Sequence, residues 1–243
     1  MSRMHKPKAG FFIRLWVMIL YPLDGLLFRI RWQHLDRVPT PEQGGVIIAI
    51  NHVSQVDTVL MARLVWQSGR VPRFMIKAGV FDWPIVGRWM HGAGQIPVYR
   101  GTTDAAKSLR DAVTALERGE AIVIYPEGTT TKDPQNWPMQ AKTGIARLVL
   151  LSPDTPVVPI GQWGPHKMGG FSLKRLGRRR PSLASVGQPL DLSRFRGKEP
   201  SQTLVREITD EIMNAVRAQV AELRGEPAPA EFFVPPRTYV DKK

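Results

Sequence analysis

Apolar residues occur along this chain in two patterns, short continuous runs and helically spaced faces. The runs GVIIAI (45–50) and AIVIY (121–125) are typical of strands that are buried on both faces. The stretch 103–119 carries one apolar helical face, with Thr103 placed to cap it and Gly119 to end it. Further strands are predicted at 74–78, 94–100, 157–160 and 182–187, and further helices at 58–67 and 201–225. This alternation predicts an α/β domain with a mostly parallel sheet flanked by helices.

The N-terminal apolar segment GFFIRLWVMILYPLDGLLFRIRW (10–32) is interrupted by polar residues and a proline. Arg14, Pro22 and Asp24 leave neither half near the roughly 20 uninterrupted apolar residues that a membrane-spanning helix needs. No small-residue cleavage site follows it, so a signal peptide is not indicated. We predict two short helices with basic flanks that lie in a membrane interface. Two ordinary core helices are the alternative.

These patterns divide the chain into three segments. Residues 1–34 are the expected membrane-associating helical element, and residues 35–225 are the expected α/β domain. The proline-rich segment 226–243 is expected to be an extended tail on the surface.

The charge of the chain limits its partners. A formal net charge of +13 attracts polyanions such as nucleic acid, an anionic membrane face or acidic small molecules. Part of this charge lies in the basic run KRLGRRR (174–180). Since no zinc-finger spacing, basic heptad or aromatic RNP-like segment accompanies the charge, nucleic acid is not expected as a partner. A hydrophobic content of 43% excludes a disordered chain, and the lack of cysteine excludes a thiolate nucleophile.

Three unusual polar stretches follow predicted strands. They are NHVSQVD (51–57), YRGTT (99–103) and PEGTTTK (126–132). In open α/β sheets, ligands bind beyond the carboxyl ends of the strands. If the strands are parallel neighbours, the three stretches meet at one rim, where an active site is expected.

The first stretch holds a histidine and an aspartate five positions apart. Two interior helical positions five apart point about 140° away from each other, so His52 must lie in the turn before the helix that Asp57 begins. An aspartate on one ring nitrogen would make the other a better base. The alternative is that Asn51 or Ser54 caps a helix and His52 is only a turn residue.

Other chemistries are less well supported. No G-x-S-x-G elbow accompanies Ser54, so we expect this serine to be a cap or a neighbour that orients the histidine ring. The five histidines form no pair four residues apart, and no metal site is expected.

NHVSQVD resembles the N-H-x-S-x-x-D block of the glycerolipid acyltransferases, the family of 1-acylglycerol-3-phosphate and glycerol-3-phosphate acyltransferases. Three further segments resemble the other blocks of that family, in the same order and at similar spacing. They are GQIPVYR (94–100), YPEGTTT (125–131) and VVPI (157–160). KAGVFDWPIVG (77–87) is similar to the stretch between the first two blocks. The resemblance extends from about residue 35 to about residue 190.

The resemblance implies transfer of a fatty acyl chain from an acyl-CoA or acyl-carrier-protein thioester to a hydroxyl of 1-acylglycerol 3-phosphate. The product would be phosphatidic acid, a phospholipid precursor. His52 would be the general base, oriented by Asp57 and supported by Asn51 and Ser54. Arg100 would hold the acceptor phosphate. No cofactor is implied beyond the thioester co-substrate.

The turn at 127–129 is expected to share in acceptor binding. Gly128 and Thr129 would bring backbone N–H groups to the phosphate. Glu127 would hold glycerol hydroxyls, a backbone turn or an arginine. Thr130 stands where the family has an arginine, and Lys132 is expected to compensate for it.

Tyr125 stands where the family prefers phenylalanine, a second and smaller departure. The missing arginine leaves the acceptor open to glycerol 3-phosphate, another lysophospholipid, or an inositol lipid or glycolipid. A non-catalytic basic protein that binds membranes or nucleic acid is the alternative of a different class, but the intact blocks argue against it. The expected location is the cytoplasmic face of a membrane, as a peripheral or monotopic protein on an anionic surface.

Overall fold

The structure is a computed structural model that describes residues 10–99, 104–168 and 179–236, apart from the side chain of Trp16. Arg100, Thr103 and most of the basic run 174–180 lie outside the described residues. The described strands are β1 (Phe28–Gln33), β2 (Val46–Ile50), β3 (Pro72–Lys77), β4 (Ile96–Val98), β5 (Ala121–Ile124), β6 (Val157–Trp163) and β7 (Arg180–Val186). The described helices are α1 (Phe11–Leu27), α2 (Asp57–Gln67), α3 (Pro84–Gly92), α4 (Ala105–Glu117), α5 (Gly144–Leu151) and α6 (Gln202–Arg224).

The strands form one sheet in the order β1-β7-β6-β2-β5-β3-β4. All neighbours are parallel except β6 and β7, so β7 and β1 run against the other five strands. Apolar clusters cover both faces of the sheet, one built with α4, α5 and α6 and the other with α2. The predicted mostly parallel α/β sheet is confirmed, and β2 lies buried at its centre.

The N-terminal segment differs from the prediction of two short helices. It forms one helix, α1, with Pro22 inside it, and the chain then enters the sheet as β1. In β1 the side chains alternate, with Phe28 buried and Arg29 and Arg31 exposed. A period of two suits a strand with one covered face. β1 pairs in parallel with β7, so the second predicted helix is wrong and the sheet begins at Phe28.

Two helices, α3 and α5, were not predicted. Helix α5 is short and nearly all apolar, and such a run cannot be separated from a buried strand by periodicity. Helix α3 begins with Pro84 at a position where a missing N–H costs nothing. Gly87 is required in it, because a Cβ there would lie 1.9 Å from the carbonyl oxygen of Phe81.

The C-terminal tail contains no helix over its described residues 226–236. The Gln140 N–H donates to the carbonyl of Phe233 at 2.9 Å, and Phe233 forms an isolated bridge with Met139. The tail therefore packs against the long loop that follows β5.

Within the described part of the chain, no helix is both long enough and apolar enough to cross a bilayer.

Candidate active site

The loops after β2 and β5 lie side by side at one rim of the sheet, because these strands are parallel neighbours. The N–H of His52 donates to Glu127 Oε1 at 2.7 Å, and the N–H of Thr131 donates to the carbonyl of His52 at 2.6 Å. Two of the three polar stretches thus meet as expected. The third stretch follows β4, which lies two strands beyond β5 in the sheet. Arg100 belongs to that stretch and is outside the described residues, so its position stays a prediction.

His52 and Asp57 form a pair across the start of α2. Nδ1 of His52 lies 3.0 Å from both carboxylate oxygens of Asp57. His52 lies in the turn and Asp57 is the first residue of α2, as their spacing requires. A proton on Nδ1 facing the carboxylate leaves the lone pair of the neutral ring on Nε2, which is the nitrogen that a base needs.

The carboxylate of Asp57 is fully buried and is surrounded by hydrogen-bond donors. The N–H groups of Val53 and Ser54 both donate to Oδ2 at 2.9 Å. A buried charge is tolerated only when such donors replace water. The hydroxyl of Ser54 accepts the N–H of Val56 at 3.4 Å. No side chain caps α2, so the alternative in which Asn51 or Ser54 caps it is wrong.

Asn51 supports the site from beneath by binding Gln162 of β6. Its Oδ1 accepts the Gln162 N–H at 2.8 Å, and its Nδ2 donates to the Gln162 carbonyl at 3.1 Å. The side chain of Gln162 in turn donates to the Asn51 carbonyl at 2.6 Å. The pair extends the contact between β2 and β6 by one residue beyond their ladder. Sequence reasoning missed Gln162, whose signal is a polar residue in an otherwise apolar strand.

Glu127 joins the two loops. Its Oε1 accepts the N–H of His52, and its Oε2 accepts the N–H of Met139 at 3.0 Å. The side chain is only 1% exposed. Burial raises the pKa of this carboxyl to about 8, although the two backbone N–H groups oppose the shift. Three roles were expected for Glu127, and the structure shows one of them: its carboxyl group binds backbone N–H groups and so holds the turn.

Gly128 does not direct its N–H outward. Gly128 has a φ of +76°, and its N–H donates to the carbonyl of Tyr125 at 2.9 Å. This N–H is therefore engaged within the turn, and the approach of backbone N–H groups of Gly128 and Thr129 to a phosphate stays a prediction. Thr129 and Lys132 are exposed at the surface of the same turn, and their contact with the acceptor stays a prediction.

Tyr125 holds the plane of the histidine ring. The two rings are stacked with centroids 4.3 Å apart and planes 21° apart. The ring of Phe74 in β3 is also stacked with that of Tyr125, with centroids 6.1 Å apart. The His52 ring is thus fixed by Asp57 at its edge and by Tyr125 on its face.

Comparison with solved structures supports the same fold. The crystal structure of the 1-acyl-sn-glycerophosphate (LPA) acyltransferase PlsC from Thermotoga maritima matches with a TM-score of 0.58 and 20% sequence identity. The match covers 90% of this chain and 79% of that one.

Curated relatives carry related names. The 1-acyl-sn-glycerol-3-phosphate acyltransferase LPAT1 of Arabidopsis thaliana is 27% identical over 164 residues, which are 63% of this chain and 44% of that protein. The enzyme of the same name from Bacillus subtilis is 23% identical, over 73% of this chain and 82% of its own. A lyso-ornithine lipid O-acyltransferase of Pseudomonas aeruginosa is 36% identical over 81 residues, 33% of this chain and 30% of that one.

The chain spans less than half the length of the two chloroplast relatives that it matches, LPAT1 and its Brassica napus counterpart BAT2. The acyltransferase family profile matches residues 29–163, more than half of this chain. That range contains the His52–Asp57 pair and the Glu127 turn, and the chain belongs to the acyltransferase family.

Proposed function

We propose that this protein transfers a fatty acyl chain from an acyl thioester, acyl-CoA or acyl carrier protein, to the free hydroxyl of 1-acylglycerol 3-phosphate. The product is phosphatidic acid. The observation that carries the proposal is the His52–Asp57 pair, which presents Nε2 as a base at the rim of the sheet. The names of the relatives from Arabidopsis thaliana and Bacillus subtilis point to the same acceptor.

The proposed reaction uses a single direct attack. Nε2 of His52 takes the proton of the acceptor hydroxyl as its oxygen bonds to the thioester carbonyl carbon. The tetrahedral intermediate then collapses and the C–S bond breaks. His52 returns the proton to the leaving thiolate, which departs as a thiol. Asp57 stabilises the imidazolium in between. No acyl-enzyme forms, so no nucleophilic side chain is needed.

The test is a thiol-release assay with a panel of acyl donors and acceptors, followed by identification of the product. Release that depends on 1-acylglycerol 3-phosphate, with phosphatidic acid as the product, supports the proposal. Glycerol 3-phosphate, other lysophospholipids and glycolipids belong in the panel.

A second acceptor class has specific support. Thr130 replaces the arginine of the family pattern, and one relative is named for a lyso-ornithine lipid, an acceptor built on an amino acid. A site with fewer cations has a weaker binding preference for a phosphorylated acceptor. Faster release with lyso-ornithine lipid than with 1-acylglycerol 3-phosphate would favour this second candidate.

Replacing Arg100 by alanine should lower kcat/KM for a phosphorylated acceptor by roughly 10- to 150-fold. A charge-assisted hydrogen bond to a phosphate contributes about 1.5–3 kcal/mol, and Thr130 brings no second charge. Steady-state kinetics with the acceptor varied provide the measurement. Arg100→Lys should restore only part of the loss because an ammonium lacks the two-pronged geometry.

Lys132→Ala should give a smaller loss of the same kind, and Thr130→Arg should strengthen the binding of phosphorylated acceptors. The donor KM should stay nearly constant in all of these variants. Equal damage to donor and acceptor kinetics in Arg100→Ala, or no damage, would make Arg100 structural.

A membrane contact through α1 and α3 completes the proposal. α1 packs on α3, where the indole N–H of Trp89 donates to the carbonyl of Phe12 at 3.2 Å. Both helices leave large apolar side chains in solvent, among them Phe11 at 72%, Met18 at 68% and Ile85 at 78% exposure. We place an anionic bilayer there, on the cytoplasmic face, with the protein peripheral or monotopic.

The double variant Phe11→Glu, Met18→Glu should weaken co-sedimentation with anionic vesicles by at least about tenfold. Each side chain gives up the roughly 1.5–3 kcal/mol that full burial of a large apolar group supplies. Val234→Glu, which changes a 61% exposed residue of the tail, is the control and should bind normally. Unchanged binding of the double variant would argue for plain surface helices. If the double variant stayed bound to the vesicles and was released only at high salt, the binding would point to the basic run 174–180.

A further inference from the structure

The peptide group that joins Asn51 to His52 is held on both of its sides. Its N–H donates to Glu127 Oε1 at 2.7 Å. Its carbonyl accepts a hydrogen bond from the side-chain Nε2 of Gln162 at 2.6 Å. The two partners come from the loop after β5 and from β6, and these two strands flank β2 on either side. The plane of this peptide is therefore fixed from two directions.

The peptide group that follows His52 is held as well. Its carbonyl accepts the N–H of Thr131 at 2.6 Å, and its N–H, which is that of Val53, donates to Asp57 Oδ2 at 2.9 Å. All four backbone groups around the Cα atom of His52 thus have partners. Gln162 is the one partner among the four that lies outside the three polar stretches of the sequence.

We infer that Gln162 is a positioning residue, which fixes the backbone of His52 and thereby the place of its ring in the reaction. The catalytic meaning of this inference rests on the proposed function. Gln162 acts on the ring through the carbonyl of Asn51, so its effect is on geometry. A general base needs such control because its nitrogen must stay within hydrogen-bond reach of the hydroxyl that it deprotonates.

The end of β2 explains why a glutamine is needed here. β2 ends at Ile50, and the next residue, Asn51, is fully buried, so its carbonyl needs a donor from the protein. The backbone of Gln162 cannot provide one, because its N–H and its carbonyl are both bound by the side-chain amide of Asn51, at 2.8 and 3.1 Å. The side chain of Gln162 supplies the donor instead, and it does so without burying a charge.

The side chain of Gln162 lies on the face of the sheet that α2 covers. In the antiparallel pair of β6 and β7 it is opposite Ala184, which belongs to the apolar cluster on that face. Residues directly opposite each other in such a pair share a face. Helix α2 begins with Asp57, so the residue that holds the backbone of His52 and the carboxylate that holds its ring are on the same side of the sheet.

The variant Gln162→Met keeps the length of the side chain and removes its donor. The other residues of β6 are apolar, so a methionine suits the strand, and the backbone contacts with Asn51 are retained. We expect kcat to fall by about 2- to 100-fold, the upper end being the cost of a misplacement of about 1 Å, while acceptor KM changes by less than about twofold. Thiol-release kinetics with the acceptor varied give both constants. Gln162→Leu removes the same donor and replaces Gln162→Met if that variant does not fold.

Gln219→Met is the matched control. Gln219 of α6 packs on the opposite face of β6, where a Cβ added to Gly161 would lie 2.6 Å from the Cβ of Gln219. Its Oε1 accepts the hydroxyl of Ser185 at 2.7 Å, so this variant also loses a hydrogen bond of a glutamine beside β6. Its kcat should be unchanged. An equal fall of kcat in the two variants would overturn the inference and leave Gln162 a packing residue.

Amide hydrogen exchange, followed by NMR in the full-length protein, tests the same inference without turnover. The N–H of His52 should exchange about 2- to 12-fold faster in Gln162→Met than in the wild type, the equivalent of one hydrogen bond, and the N–H of Ile48 within β2 should not change. The inference requires both the lower kcat and the faster exchange, and either one without the other overturns it. If the wild type turns over no acceptor, the proposed function is refuted, and the exchange of the His52 N–H alone decides the inference.

Discussion

Replacing His52 by alanine should lower kcat by about 10²–10⁴, the usual contribution of a positioned general base. The loop should survive the change, because its contacts with Glu127 and Thr131 are made by the backbone of His52. Thiol-release kinetics give kcat, and thermal unfolding shows that the fold is retained. His34→Asn is the control. It removes a histidine with a φ of +58° at the surface, a conformation that asparagine tolerates, and should leave kcat unchanged.

Asp57→Asn should lower kcat as well, while acceptor binding stays nearly intact. An amide in place of the carboxylate presents an N–H toward the ring or toward the donors of Val53 and Ser54, and either arrangement spoils the tautomer that the base needs. Retention of more than half of the activity in His52→Ala would rule out the proposed mechanism.

Replacing Glu127 by alanine should lower the free energy of unfolding by about 2–6 kcal/mol. The change leaves the buried N–H groups of His52 and Met139 without acceptors, and each unsatisfied group costs about 1–3 kcal/mol. Urea unfolding measures the loss. Glu117→Ala, at an exposed position of α4, is the matched control and should stay within about 0.5 kcal/mol of the wild type.

The effect of Glu127 on stability also depends on pH. Its pKa is raised by burial from the ordinary 4.5 to about 8, so between these values the folded protein holds a proton that the unfolded chain has released. The stability that this group contributes is therefore greatest below about pH 4.5, declines up to about pH 8 and then levels off. Glu127→Ala should lack this slope. If the free energies of unfolding of the two proteins ran parallel between about pH 5 and about pH 8, the range over which the shifted pKa acts, the prediction would be contradicted.

The pairing of His52 with Asp57 was accessible from the sequence because both residues lie within the seven-residue segment 51–57. A turn and the first residue of a helix fix their relation, and no distant element is needed. The buried strands β2 and β5 were also accessible, because their short runs are rich in β-branched residues, whereas the run that forms α5 is rich in leucine. The resemblance to the acyltransferase blocks rests on the same local segments.

β1 shows where local pattern fails. FRIRWQ (28–33) is less than two helical turns long, too short to distinguish a period of 3.6 from a period of two. Its partner β7 lies some 150 residues further along the chain, at Arg180–Val186. Only that pairing decides between the end of an amphipathic helix and the edge of a sheet.

The sequence by itself determined the local arrangement of this site: the histidine, its carboxylate partner and the strands that precede their loops. The tertiary structure alone decided how Glu127 binds His52 across 75 positions, how Gln162 binds Asn51 across 111, and how the ring of Tyr125 stacks on that of His52. These contacts depend on which strands are neighbours. Strand order is set by the packing of the whole sheet and its helices, so it cannot be predicted from local periodicity.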